Sequence, residues 1–246
     1  MTSTNDTQTG GGEPLRTPAK RFYERASVGP AEAGKSEIFL DEKPLRTPGR
    51  ARLLAPVAVA EAIAAEWNNQ QQEIRPHTMP FTRLTNTAID GVSQNLGAVQ
   101  DEIVAIAGSD LICYRANEPE GLVARQRASW DPLVAHAGLR TGVPLAVTQG
   151  IMPVTQDARL ADGVRRSLPN DPLQVGALHQ LATLTGSAFI ALALEAAHLS
   201  FDEAWEAAHI DEDWNIEEWG EDAEAAERRS LRRRDAEAAA FVLLNR

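Results

Sequence analysis

The chain of 246 residues is 43% hydrophobic and 24% charged, with one cysteine and five tryptophans, a composition ordinary for a globular fold of one large domain or two small ones. A net charge of −11 argues against a phosphate-backbone binder, which carries a basic excess to replace condensed counterions, and a lone Cys113 cannot form an internal disulfide. The most apolar run, residues 187–197, is broken by Glu195 and falls far short of the ~20 residues that span a membrane.

Residues 1–18 contain Gly10-Gly11-Gly12 and almost no large apolar side chains, which predicts a disordered tail. Met1 to Glu13 lacks an apolar h-region and carries Asp6 and Glu13, where a transit peptide is Arg-rich and acid-poor. The expected compartment is therefore the bacterial cytoplasm, or the mitochondrial matrix if the source is eukaryotic. Residues 21–28, 36–40 and 50–54 read as short strands bounded by Gly29-Pro30, Pro44 and Pro48-Gly49. Val57, Ile63, Ala64 and Trp67 then recur at helical spacing behind Pro56, predicting a helix over 56–72 that covers the sheet. Phe81, Leu84, Thr85, Ala88 and Ile89 share the face of a further helix, and another follows over 96–107.

Asp131-Pro132 and Asp171-Pro172 each place an N-cap acceptor before a proline, predicting two helix starts. Residues 188–199 are apolar enough for a central buried helix, Ser200 with Glu203 forms a capping box, and residues 211–246 read as a long helix or helix pair. The fold class is α+β: a small two-layer α/β domain over 19–90, followed by a larger all-helical domain over 91–246. Cys113, among apolar neighbours, reads as a small buried hydrophobe.

Two motifs invite catalytic readings. Gly29 to Ser36 matches G-x-x-x-x-G-K-[ST], the loop that cradles phosphates ahead of a helix. The stretch after Ser36 is short and β-like, and Glu32 would oppose a phosphate, so a turn is the better reading of this segment. Glu195-Ala-Ala-His198 and Glu206-Ala-Ala-His209 repeat the E-x-x-H spacing of di-metal bundles. The cap at Ser200 sets the second copy on a separate short helix, awkward for convergence on one metal pair. No cofactor and no metal are expected.

Between Asp202 and Glu227 stand 12 acids, no lysine or arginine, and Trp205, Trp214 and Trp219. Tryptophan is enriched at interface hot spots, and the carboxylates would steer a basic partner surface. Pattern alone balances this against indoles packed inward beneath a solvated acidic face. Arg228, Arg229, Arg232, Arg233 and Arg234 come next in the chain and are placed to pair with these acids along the helix at i, i+4 spacing.

Taken as stretches, Arg21-Phe-Tyr23, residues 38–48, 60–67 and 79–90 resemble successive blocks of the ATP-twelve chaperones, the ATP synthase assembly factor 2 family. Residues 111–116, 130–133, 147–154 and 219–221 extend the similarity toward the C-terminus. His136 departs from the aromatic residue frequent in the family, and Asn215 from its glutamine. The resemblance implies an α/β domain followed by a helical one. It also implies a non-enzymatic chaperone that holds the unassembled α subunit of the F-type ATP synthase and yields it to β. The lysine loop would then lie in a first hairpin that binds no nucleotide. The expected contact residues are Glu203, Asp211, Glu212, Trp219 and Glu221, and the expected state is a monomer.

Overall fold

The computed structural model describes residues 19–30, 33–150 and 152–245. The predicted tail over 1–18, and Glu32 of the lysine loop, lie outside the described residues. Strand β2 (Lys35–Leu40) organises the first sheet. Its far half pairs antiparallel with β1 (Ala26–Val28) and β3 (Lys43–Pro44), and its near half with β4 (Leu54–Pro56). Ser36, Ile38 and Leu40 alternate inward, as the two-residue period of a strand requires. Helix α1 (Val57–Asn68) buries Val59, Ala60, Ile63 and Ala64 and packs on β1, β2 and β4. The strand expected over 21–28 is shorter because Arg21 spends its guanidinium on the carbonyls of Tyr23, Glu24 and Gln70, which holds that stretch as a loop. The expected strand over 50–54 shifts to 54–56, and only the bridge Arg46–Arg52 pairs earlier.

Helix α2 (Pro80–Asp90) has Met79 at its N-cap, which offers no side-chain acceptor. Glu66 of α1 supplies it instead. Its carboxylate accepts from Phe81 N at 2.7 Å, Thr82 N at 2.8 Å and the Thr82 hydroxyl at 2.6 Å. Burial pushes the Glu66 carboxyl up, while these donors pull it back. Glu66→Ala would leave the α2 amides without their acceptor, and we expect a loss of about 2 kcal/mol in the denaturant midpoint analysis. Retention of wild-type stability would show that water replaces the cap. At its other end α2 receives the β3–β4 loop, as Asp90 accepts from the Thr47 hydroxyl and Gly49 N. A Cβ at Gly49 would lie 2.7 Å from that carboxylate.

The remaining chain is helical apart from one short parallel pair. Helix α3 (Leu96–Gly108) leads through a 3-10 turn to β5 (Tyr114–Arg115), α4 (Glu120–Thr141), β6 (Thr148–Gln149) and α5 (Leu160–Ser167). Strands β5 and β6 pair in parallel. Next come α6 (Pro172–Thr185), α7 (Ala188–Glu195), α8 (Phe201–Ala208), α9 (Ile210–Trp219) and α10 (Ala223–Leu244). All eight residues of α7 are buried, so it is the central helix its composition predicts. Helix α6 packs against α2, α3, α7 and α10, and Asp171 caps it through the amides of Leu173 and Gln174. Ala236, Ala239 and Ala240 let α10 lie close on this centre.

The expected helix start at Asp131-Pro132 is not observed: α4 runs straight through, with Pro132 in its interior. An interior proline costs about 3 kcal/mol, and burial on both sides offsets it. Trp130 is fully buried and donates to Ala207 O at 2.7 Å, while Gln126, Leu133, Ala137 and Thr141 line the same inward stripe. Asp131, no cap, ion-pairs with Arg115 at 3.0 Å. Cys113 is completely buried, and burial first, then the Asp110 charge, push its thiol up to about 12.

Candidate interaction surface

Three consecutive helices present the acidic segment. Ser200 opens α8 with a reciprocal capping box, in which Ser200 Oγ accepts from Glu203 N and the Glu203 carboxylate accepts from Ser200 N at 2.8 Å and Oγ at 2.7 Å. These donors hold the Glu203 carboxyl below its usual range. His209 closes α8 and stands before α9 without a side-chain cap, its Nδ1 2.8 Å from Trp205 O and its ring stacked on the Trp205 indole at 3.9 Å. Asp211, Glu212 and Asp213 fill the first turn of α9, where they complement the positive end of the helix dipole. Gly220, at φ +87, provides the turn that side chains resist, and Asp222 caps α10 by accepting from Ala225 N.

The three tryptophans divide. Trp205 is core, 3% exposed. Trp214 is half-buried over Gly121 of α4, where an added Cβ would lie 2.6 Å from its ring, and Arg125 stacks on it at 4.9 Å. Trp219 is 85% exposed at the end of α9. It stands five positions after Trp214, about 140° around the helix, so the two indoles point to different sides. Beside Trp219 lies a groove of about 450 Å³ lined by Ile216, Ala225 and Ala226, with Glu212, Glu221 and Arg229 at its edge.

The expected contact residues are therefore not equivalent. Trp219, Glu212 and Glu221 border this one groove. Glu212 is partly spent on Arg232, at 3.1 Å. Asp211 lies at the α4 side, accepting from Gln126 Nε2 at 2.7 Å. Glu203 stands at the start of α8, on a second groove lined in part by α4.

The arginines of α10 do not pair as helix spacing predicts. Arg228 alone follows it, with Glu224. Arg229 pairs with Asp213, Arg232 with Glu212 and Arg233 with Asp202, bridging to α9 and α8. No residue of helix α9 is fully buried; Ile210 packs on the core and Trp214 on Gly121, and these bridges with the Arg125 clamp on Glu217, at 2.8 and 2.6 Å, add to that seating. The clamp holds the Glu217 carboxyl below its ordinary range. No short-range pattern in the sequence marks Arg125, Gln126 and Gly121 as neighbours of residues about ninety positions away.

The catalytic motifs find no support in the geometry. Lys35 opens a strand instead of preceding a helix, and its ammonium ion-pairs with Asp171 at 3.3 Å. Glu195 is ion-paired with Arg140, and His198 stacks on His136 at 4.0 Å with the rings 11° apart. His136 thereby fills the place of an aromatic ring. Among the described residues no three His, Cys, Asp or Glu side chains are grouped to hold a metal ion, and no helix is long and apolar enough to cross a membrane.

Comparison with known proteins agrees with this architecture. The model of the ATP12 chaperone protein family matches residues 20–138. A crystal structure of a chaperone candidate from Agrobacterium tumefaciens is 43% identical, with a TM-score of 0.86 over 92% of this chain and 85% of that one. The crystal structure of Atp12 from Paracoccus denitrificans and a solved structure of a point mutant of it are each 37% identical. Both have a TM-score of 0.83 over 93% of this chain, and cover 99% and 98% of their own. With such identity across nearly the full length of solved relatives, the chain belongs to the ATP12 chaperone family.

Proposed function

We propose that the protein binds the unassembled α subunit of the F-type ATP synthase, shields its subunit interface from aggregation and releases it to the β subunit. It acts as a monomer in the bacterial cytoplasm, or in the matrix of a mitochondrion. No bond is made or broken, and neither nucleotide nor metal is used. The observation that carries this reading is Trp219, an 85% exposed indole beside an apolar groove, on the most acidic stretch of this chain, which belongs to a family of chaperones. A large exposed aromatic rimmed by charge is the arrangement of an interface anchor. The carboxylates around it select a basic client face and repel acidic proteins. Release needs only that β offer α a larger contact than the chaperone does, a difference of affinities.

The direct test is retention of purified α and β subunits on the immobilised protein. We expect α to be retained, β not, and added β to elute α at a rate independent of ATP. Retention of β in place of α, or of neither, sinks the reading.

A further inference from the structure

A second groove, of about 550 Å³, lies between α4 and α8 and shares no lining residue with the one beside Trp219. Its apolar lining comes from Leu133, Leu199, Ala207 and Ile210. The polar side chains around that lining are Arg125, Ser129, His198, Glu203 and Glu206, and the two carboxylates are its anionic acceptors. Glu203 is held ionised by the capping donors of Ser200, and Glu206 is exposed at the rim. Pro132, inside α4, has no N–H, so the carbonyl of Ala128, four residues earlier, lacks its helical donor. Ala128 and Pro132 both line the groove. The cation at the rim, Arg125, is already clamped by Glu217. An apolar lining ringed by carboxylates and a spare carbonyl calls for an occupant with both an apolar side chain and a cationic donor.

We propose that this groove is a second client site, which takes a segment of the α subunit bearing an apolar side chain next to a lysine or arginine. The apolar group lies on Leu133, Leu199 and Ile210, and the cation sits between Glu206 and the Ala128 carbonyl. The proposal rests on the α-subunit reading above and extends the contact beyond Trp219 to α4.

Site-directed photocrosslinking separates this proposal from its parent. A benzophenone maleimide attached to Ala128→Cys reports on the α4–α8 groove, and one attached to Asn215→Cys on the Trp219 groove. Cys113 is buried with its thiol pushed up to about 12 and does not take the label. With purified α subunit, both positions crosslink, and Glu206→Lys weakens binding about tenfold with an unchanged circular dichroism spectrum. Crosslinking from position 215 alone overturns the second site and leaves the Trp219 contact standing. Crosslinking from neither position overturns both readings. Crosslinking from 128 with affinity unaltered by Glu206→Lys overturns the charge assignment that defines the occupant.

Discussion

Replacing Trp219 by alanine lowers the affinity for the α subunit by about 2 kcal/mol, roughly thirtyfold, and leaves thermal unfolding where it was. The basis is geometric. The side chain is 85% exposed, so its truncation opens no cavity and removes almost no buried area from the folded chain. Its neighbours Ile216, Ala225 and Ala226 form a shallow apolar seat that a partner would complete. Trp205→Ala is the opposite case. That indole is buried and stacked on His209, and its loss should cost about 3–5 kcal/mol of stability. Calorimetry with titration of α distinguishes the two. If Trp219→Ala unfolds the protein, or binds α as wild type does, the indole is not the anchor.

Local signals in the sequence carried the elements that depend on local chemistry. The Asp171-Pro172 cap, the Ser200–Glu203 box and the apolar run of α7 appear where spacing places them. So does the α+β order, sheet first and helices after. Signals that need a third dimension were misleading or silent. Asp131-Pro132 has the same local form as Asp171-Pro172, yet the burial of Trp130 and Leu133 on either side carries the helix through. The i, i+4 expectation for the arginines holds only for Arg228, because the positions four before Arg229, Arg232 and Arg233 are Ala225, Arg228 and Arg229, and their partners Asp213, Glu212 and Asp202 come instead from α9 and α8. Helix α5 was not foreseen, because eight residues with three buried ones give too short a period to read. For the candidate site, composition located the acidic segment, but the direction of each indole depends on where α9 meets α4. Trp214 and Trp219 carry the same residue type in the same charge environment and differ only in that contact.

A large loss of stability is also expected at Asp110, a carboxylate with no solvent exposure that links two helix starts. One oxygen accepts from Ile112 N at 3.2 Å and the other from Phe189 N at 3.1 Å, at the head of the central helix α7. Asp110→Ala orphans both amides in the core and should cost about 3 kcal/mol or more in urea unfolding. Burial pushes the Asp110 carboxyl up from 3.8 to about 7, against the pull of Ser187, Phe189 and Ile112. In the unfolded chain the group ionises near pH 4. Between about pH 4 and 7 the folded state therefore binds the extra proton, and this residue's contribution to stability declines as pH rises through that window. Asp110→Asn keeps an acceptor and removes the titration. Glu66, raised, and His136 and His209, lowered, titrate in both proteins and cancel in the difference. The stability of Asp110→Asn relative to wild type should accordingly improve from pH 5 to pH 8. A difference that stays flat over that range would mean that the helix amides hold Asp110 ionised throughout, and that the core stores a charge in place of a proton.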